Sequence, residues 1–292
     1  MFKRKEEKHI TDKDVMRTLP HTRREVFFDL FKHRKMSLFA LSCFTFMFFI
    51  PLAVDLIFFN FLQNVAIASD KTDYLFSLFF YEMIILIPCM VIGCLGLAGA
   101  FEVAKNMVWQ EGTMLASDFF HGIKTTWLHA LTNGLILGVI LSAGVIGSCF
   151  LLIYQPVSPI IIGVGIGAMI LFFLFFGIAV VMNYTQDAYY QNSYGAVLKN
   201  SFRFMGLLNW RLLVIFLLST GVVVTLCFFN IVTLIIGMAL FAVLNSVVVI
   251  LYTLVSHSAF DKYINMDNYP HLVGRGLYKV EDNDEINKDE EA

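Results

Sequence analysis

Long apolar runs separated by short polar breaks dominate this chain. Between Lys124 and Asp187 no residue carries a formal charge apart from any on His129, and between Arg211 and Asp261 none apart from any on His257. A bilayer core ~30 Å thick is crossed by a helix of ~20 apolar residues, so each of these runs is long enough for two spans. With two earlier runs the pattern predicts an all-α protein with six transmembrane helices, at about Met36–Asp55 (extending toward Leu62), Met83–Val103, Trp127–Tyr154, Val157–Asn183, Leu212–Phe229 and Ile231–Ser256. The third and fourth meet at "YQPVSP", where Pro156 and Pro159 cannot donate to a helix. The fifth and sixth meet near Asn230.

The charges sort with these spans. Eleven Lys and Arg precede the first span, Lys105 and Lys124 lie between the second and third, and Lys199, Arg203 and Arg211 between the fourth and fifth. Lys262, Arg275, Lys279 and Lys288 follow the sixth, and only Lys71 falls on the other side. The positive-inside rule then places both termini in the cytoplasm. The expected organisation is a basic N-terminal arm with an interfacial helix (1–35), a six-helix membrane domain (36–265) and a cytoplasmic C-terminal segment ending in an acidic, disordered tail (266–292).

The cytoplasmic segments repeat. "VFFDLFKHRKMSLFAL" precedes the first hairpin and "DFFHGIKTTWLHAL" the second, each with Phe-Phe and a Lys four residues after the second Phe. A looser version, "NSFRFMGLLNWRLLV", precedes the third. After each hairpin comes an acid followed four residues later by Asn or Gln: Glu102/Asn106, Asp187/Gln191 and Asp261/Asn265. The repeated unit is thus an interfacial amphipathic helix rich in aromatic and basic residues, an outgoing span, a turn, and a returning span with an acidic end. Such a helix suits the headgroup region of anionic lipid.

Composition agrees, at 58% hydrophobic and 15% charged residues against ~25% charged in a soluble domain. The polar start lacks the apolar core of a signal peptide, so the first span is expected to serve as the insertion signal. The five cysteines lie in apolar runs without zinc spacing, and no nucleotide loop, HExxH or GxSxG motif is present. No catalytic residue, cofactor, metal or nucleic-acid partner is expected.

The stretch "IPCMVIGCLGLAGAFEVAKNMVWQEGTMLASDFFHGIKTTWLHALTNGLI" resembles the signature region of the YesL-like family of bacterial multi-pass membrane proteins. The resemblance rests on Pro88, Gly93, Ala98 to Ala100, Lys105, "QEGTMLAS" and Asp118-Phe119-Phe120 with Lys124, and "LKNSFRFMGLLNWRLL" is similar to the family's second half. It covers about Met36 to Tyr263; the long basic arm and the acidic tail depart from the family. The resemblance implies a multi-pass cell-membrane protein of a kind often encoded near carbohydrate ABC-transport genes, without an established activity or catalytic residues to carry over.

Candidate positions follow from topology. Glu102, Lys105, Asp118, Phe120, Lys124, Asp187 and Arg203 form the expected cytoplasmic rim, read as a partner-docking surface. The acids there read first as helix ends paired with Lys or Arg, with a cation-binding or gating ring as the alternative. Asp55 and Glu82 form an expected outer polar pair at the interface. Buried Asn133, Asn183, Asn230 and Asn245 read as packing groups, with a polar path along Asn133 and Asn245 as the alternative. Gly93, Gly96 and Gly99, and Gly163 with Gly167, read as helix contacts within the chain or between subunits. The leading expectation is a non-enzymatic accessory or regulatory subunit of solute transport, contacting anionic lipid and an ABC-transporter membrane subunit. Alternatives are an autonomous small transporter or channel, and a membrane-bound enzyme on a lipid-linked substrate, which would gather His121, His129 and an acid. The topology has a direct check: cysteines placed at Lys71 and Lys199 should react from opposite sides of the membrane, and same-side labelling would sink the six-span reading.

Overall fold

A computed structural model describes residues 20–69, 72–153, 158–190, 192–223, 226 and 230–278. Among these residues the fold is all helical. Its elements are α1 (Arg23–His33), α2 (Lys35–Ala68), α3 (Thr72–Val108), α4 (Leu115–Ile153), α5 (Pro159–Tyr189), α6 (Tyr194–Phe216) and α7 (Ile231–Phe260). A π-helical turn, Leu217–Gly221, continues α6, and another, Asp261–Asn265, continues α7. Five helices are long and apolar enough to cross a membrane. The count becomes six if the two limbs of α6, Tyr194–Leu207 and Trp210–Gly221, which meet at 99°, form one span. The protein is a multi-pass membrane protein.

Helix boundaries differ from the hydropathy reading mainly by extension. α3 starts at Thr72 rather than near Met83, so Glu82 lies well inside the helix instead of opening it. α2 runs to Ala68, which likewise puts Asp55 inside a continuous helix. α5 runs past Asn183 to Tyr189 and includes Asp187. Hydropathy ends a span at the first polar residue, whereas a helix continues as long as its backbone bonds are made and its polar side chains find partners. Asn230 does mark the expected boundary. Its side chain accepts from Val232 N–H at 2.9 Å and Thr233 N–H at 3.0 Å, a capping box completed by Thr233. At the other end of the chain, Thr22 caps α1, and Glu25 accepts from His21 N–H at 2.8 Å, which holds the Glu25 carboxyl below its usual range together with the Thr22 hydroxyl. Residues 154–157 of the proline turn, Gln191, Lys71, the first nineteen residues and the acidic tail lie outside the described residues.

The repeated phrases share a backbone feature. α1 ends and α2 begins at Arg34, with φ −121° and ψ 29°. Thr126 interrupts α4 with nearly the same angles, φ −118° and ψ 16°. Arg34 follows Phe27 by seven residues, and Thr126 follows Phe119 by seven. In both copies one non-helical residue turns the chain from the Phe-Phe-Lys segment into the long helix. The third bend falls just before Trp210, as the second falls just before Trp127.

α3 holds the bundle together. It packs against α4, α2, α7 and α5, and its span is 56% buried against 24% for α5. In lipid the hydrophobic effect does little to hold helices together, so close packing must. Small residues provide it. A Cβ on Gly96 would run into Phe48 of α2, one on Gly99 into the Phe119 carbonyl, and one on Gly134 into the Val91 backbone of α3. Gly163, Gly165 and Gly167 on α5 face open space, so of the two expected glycine sets the one on α3 makes contacts within the chain. Gly134→Val is therefore expected to lower stability by about 2–3 kcal/mol through overpacking against backbone, while Gly165→Val changes it by less than about 0.5 kcal/mol; thermal unfolding in nanodiscs separates the two.

Candidate functional site

Two polar assemblies occupy the basic end of the bundle. The first is a clasp around Asp261. Its Oδ2 accepts from Arg23 Nη2 at 2.9 Å and from Gly274 N–H at 3.3 Å, and its Oδ1 from Asn265 Nδ2 at 2.8 Å. His257, fully buried one turn earlier on α7, places Nδ1 3.3 Å from Asp261 Oδ2, close but not aligned as a hydrogen bond. Its Nε2 accepts from Trp109 Nε1–H at 3.1 Å, so the neutral ring carries its hydrogen on Nδ1, toward the carboxylate. Arg275 stacks over Trp109 at 4.0 Å, pairs with Glu111 and gives its carbonyl to Arg23 at 2.8 Å.

The local chain is shaped for this. α3 closes with Gln110 at φ 57°, and Glu111 N–H returns to the Asn106 carbonyl, a left-handed cap that turns Glu111 toward Arg275. Gly276, at φ 81°, leaves room for the Val108 carbonyl, where a side chain would collide. The end of the clasp is tied to the start of the described chain, Tyr278 N–H donating to the Pro20 carbonyl at 3.1 Å.

The second assembly is a ladder between α4, α5 and the first limb of α6. His129 Nδ1 meets Asp187 Oδ1 at 2.8 Å. One turn deeper, Asn183 Nδ2 donates to Asn133 Oδ1 at 2.9 Å, which also accepts from Tyr194 at 2.9 Å. Ser201 donates to Asn183 Oδ1 at 2.6 Å and accepts from Gln186 Nε2 at 2.6 Å. Behind them Tyr184 donates to the Cys94 carbonyl at 3.0 Å.

The three repeated acids therefore face separate bases. Glu102 pairs with Lys105 on its own helix, Asp187 with His129, and Asp261 with Arg23. The expected rim set divides accordingly. Glu102, Lys105 and Asp187 are turned inward, Asp118 accepts from Met114 N–H at the start of α4, and Phe120, Lys124 and Arg203 are exposed. Phe119 rather than Phe120 carries the packing, against Phe44 and Phe48. Toward the opposite end, Asp55 and Glu82 are brought together, and their carboxyls interact. Glu82 is buried within the fold. The described cavity, lined by Leu217, Gly221, Val222 and Leu226, is apolar and contains neither acid.

Some partners were not evident from sequence. Asn133 joins Asn183 rather than Asn245, which lies on α7 beside Ser246, itself bonded to Ser42 of α2. His121 is exposed and does not join His129. His257 and Asp261 stand four apart in "HSAFD", the one signal that marks them, but Trp109, Arg23 and Arg275 reach them only through the fold. Among the described residues no group of three or more His, Cys, Asp or Glu is arranged to hold a metal.

The clasp makes a checkable prediction. Trp109→Phe leaves the buried His257 Nε2 without its donor, at a cost of about 1–3 kcal/mol. Local opening of residues 266–278 should then rise by about tenfold or more, read as faster proteolysis there, with unchanged cleavage elsewhere. Compared with known protein families, with curated proteins and with solved structures, the chain matches none.

Proposed function

We propose that the protein is a three-hairpin, six-span integral membrane protein with both termini cytoplasmic, acting as an accessory or regulatory subunit of a solute transporter. On the YesL-like resemblance, the solute is carbohydrate and the partner an ABC-type membrane subunit. One observation supports a docking role above the others. The three acids at the basic end each have a basic side chain of the same chain beside them, whereas Phe120, Lys124 and Arg203 stay exposed at that end. A carrier needs polar groups open to a pathway; here Asn183, Ser201, Tyr184 and Ser42 bond within the chain.

The same end suits anionic lipid. Arg24 lies 5.8 Å over Phe28, Arg211 5.5 Å over Trp210 and Lys262 5.1 Å over Tyr263, all exposed pairs of the kind that settle at headgroups.

Affinity purification of the full chain from its native membrane, with mass spectrometry, tests the docking reading. The expected result is a stoichiometric ABC-type permease subunit with the wild type, and its loss with Lys124→Glu/Arg203→Glu but not with Gly165→Val. Recovery of the protein alone, or recovery unaffected by charge reversal, would count against it.

A further inference from the structure

The ladder contains more hydrogen-bonding capacity than the chain uses. Asn133 Nδ2, Gln186 Oε1 and Asp187 Oδ2 are buried and have no partner. Asn133 and Gln186 are 0% exposed, and the Asp187 side chain is 3% exposed. An unpaired polar group in a membrane interior costs several kcal/mol, and such groups in native proteins are met by ordered water or a bound ligand. Here one donor and two acceptors lack partners in the same assembly. His129 and Asn133 are one turn apart on α4, as Asp187 and Asn183 are on α5, so the Asp187 carboxyl and the Asn133 amide stand on adjacent rungs of one network. A water between two such groups is held by accepting from the amide and donating to the carboxylate.

The assembly is partly open at His129. The His129 side chain is 23% exposed, three residues past the Thr126 bend, and its Nε2 has no partner among the described residues. Deeper rungs are covered by the first limb of α6, through Tyr194, Val197 and Ser201. Beyond them α5 turns apolar, with Ile178, Val180 and Phe173 packed in the core.

The geometry points to a water-occupied proton-binding site in which His129 exchanges protons with the basic end of the bundle and Asp187 holds the charge. A proton from water at that end adds to Nε2. The ring becomes an imidazolium whose Nδ1–H donates to Asp187 Oδ1, and no other bond changes. The bridging water donates to Asp187 Oδ2 and accepts from Asn133 Nδ2. The groups facing the pair are Tyr194 of α6, Tyr184 of α5 and, behind Tyr184, Cys94 of α3. None of these brings a fixed charge. The site is independent of the docking reading: it requires neither a permease nor a solute.

Infrared difference spectroscopy of the full-length protein in nanodiscs tests it, stepping from about pH 8 to about pH 5, the range in which histidine changes charge. Wild type should show an imidazole band that moves with isotope-labelled histidine, a coupled carboxylate band, and an O–H stretch that shifts in heavy-oxygen water. His129→Gln and Asp187→Asn should each remove the coupled bands, and Asn133→Leu should remove the water band alone. A wild-type spectrum without a heavy-oxygen-sensitive band would overturn the water site, and this reading needs no variant to fold. Coupled bands that persist in Asp187→Asn would overturn the pair.

Discussion

A polar group inside this bundle has to find its partner on the same chain or in water held within it. Lipid offers none, and an unsatisfied carbonyl, amide or carboxylate in hydrocarbon costs several kcal/mol. That requirement accounts for the arrangement of the three acids that close the returning helices. Each finds a partner by a different route: Glu102 along its own helix, Asp187 across to α4, and Asp261 in a residue from α1 far away in sequence. The same requirement decides where the helices stop. α5 continues beyond Asn183 because Asn133 and Ser201 satisfy that amide, and α3 begins before Glu82 because Asp55 stands beside it.

Steric fit carries what the hydrophobic effect cannot. Apolar side chains are nearly as well solvated by lipid as by one another, so contact quality has to distinguish the packed state. α3 supplies the smooth surface, and its neighbours supply the bulk: Phe49 over Gly93, Phe48 over Gly96 and Phe119 over Gly99. α4 reciprocates, since Gly122 leaves room for the Glu102 side chain. The Glu102–Lys105 pair thus lies under α4 and is part of the α3–α4 contact. Its depth explains why it does not join Phe120 and Lys124 at the surface.

The class, the all-helical architecture and the small-residue contacts of α3 were legible in the sequence, because apolar run length and glycine spacing report local properties. The bends were half legible. The recurrence of Phe-Phe with a following Lys identified equivalent segments, and the matching angles at Arg34 and Thr126 are the backbone counterpart of that recurrence. Helix ends were misplaced wherever a polar residue turned out to be paired, as at Glu82 and Asn183. The site partners were largely illegible. Trp109 and His257 are 148 residues apart, and Arg23 reaches Asp261 across 238; nothing local to either member announces such a contact. Asn133 was visible as a polar residue in a span, but whether it faced Asn183 or Asn245 depended on which helices are neighbours.

The third repeat is the least regular in sequence, and that irregularity coincides with the ladder. Ser201 stands nine residues before Trp210, as Asp118 stands nine before Trp127. In the second repeat that position serves the start of its own helix, where Asp118 accepts from Met114 N–H. In the third it is a fully buried serine bonded to Asn183 and Gln186 of α5. The limb that carries it is turned by 99° from the segment that follows, and Tyr194 reaches Asn133 from its opening turn. A sequence usually departs from its own repeat where a local preference has been given up for something else. Here a surface acid has been exchanged for a hydroxyl that completes a buried network, while the bend that defines the repeat has been kept. The basic end therefore combines two uses of one unit: two copies support the outward basic face, and the third covers the polar interior.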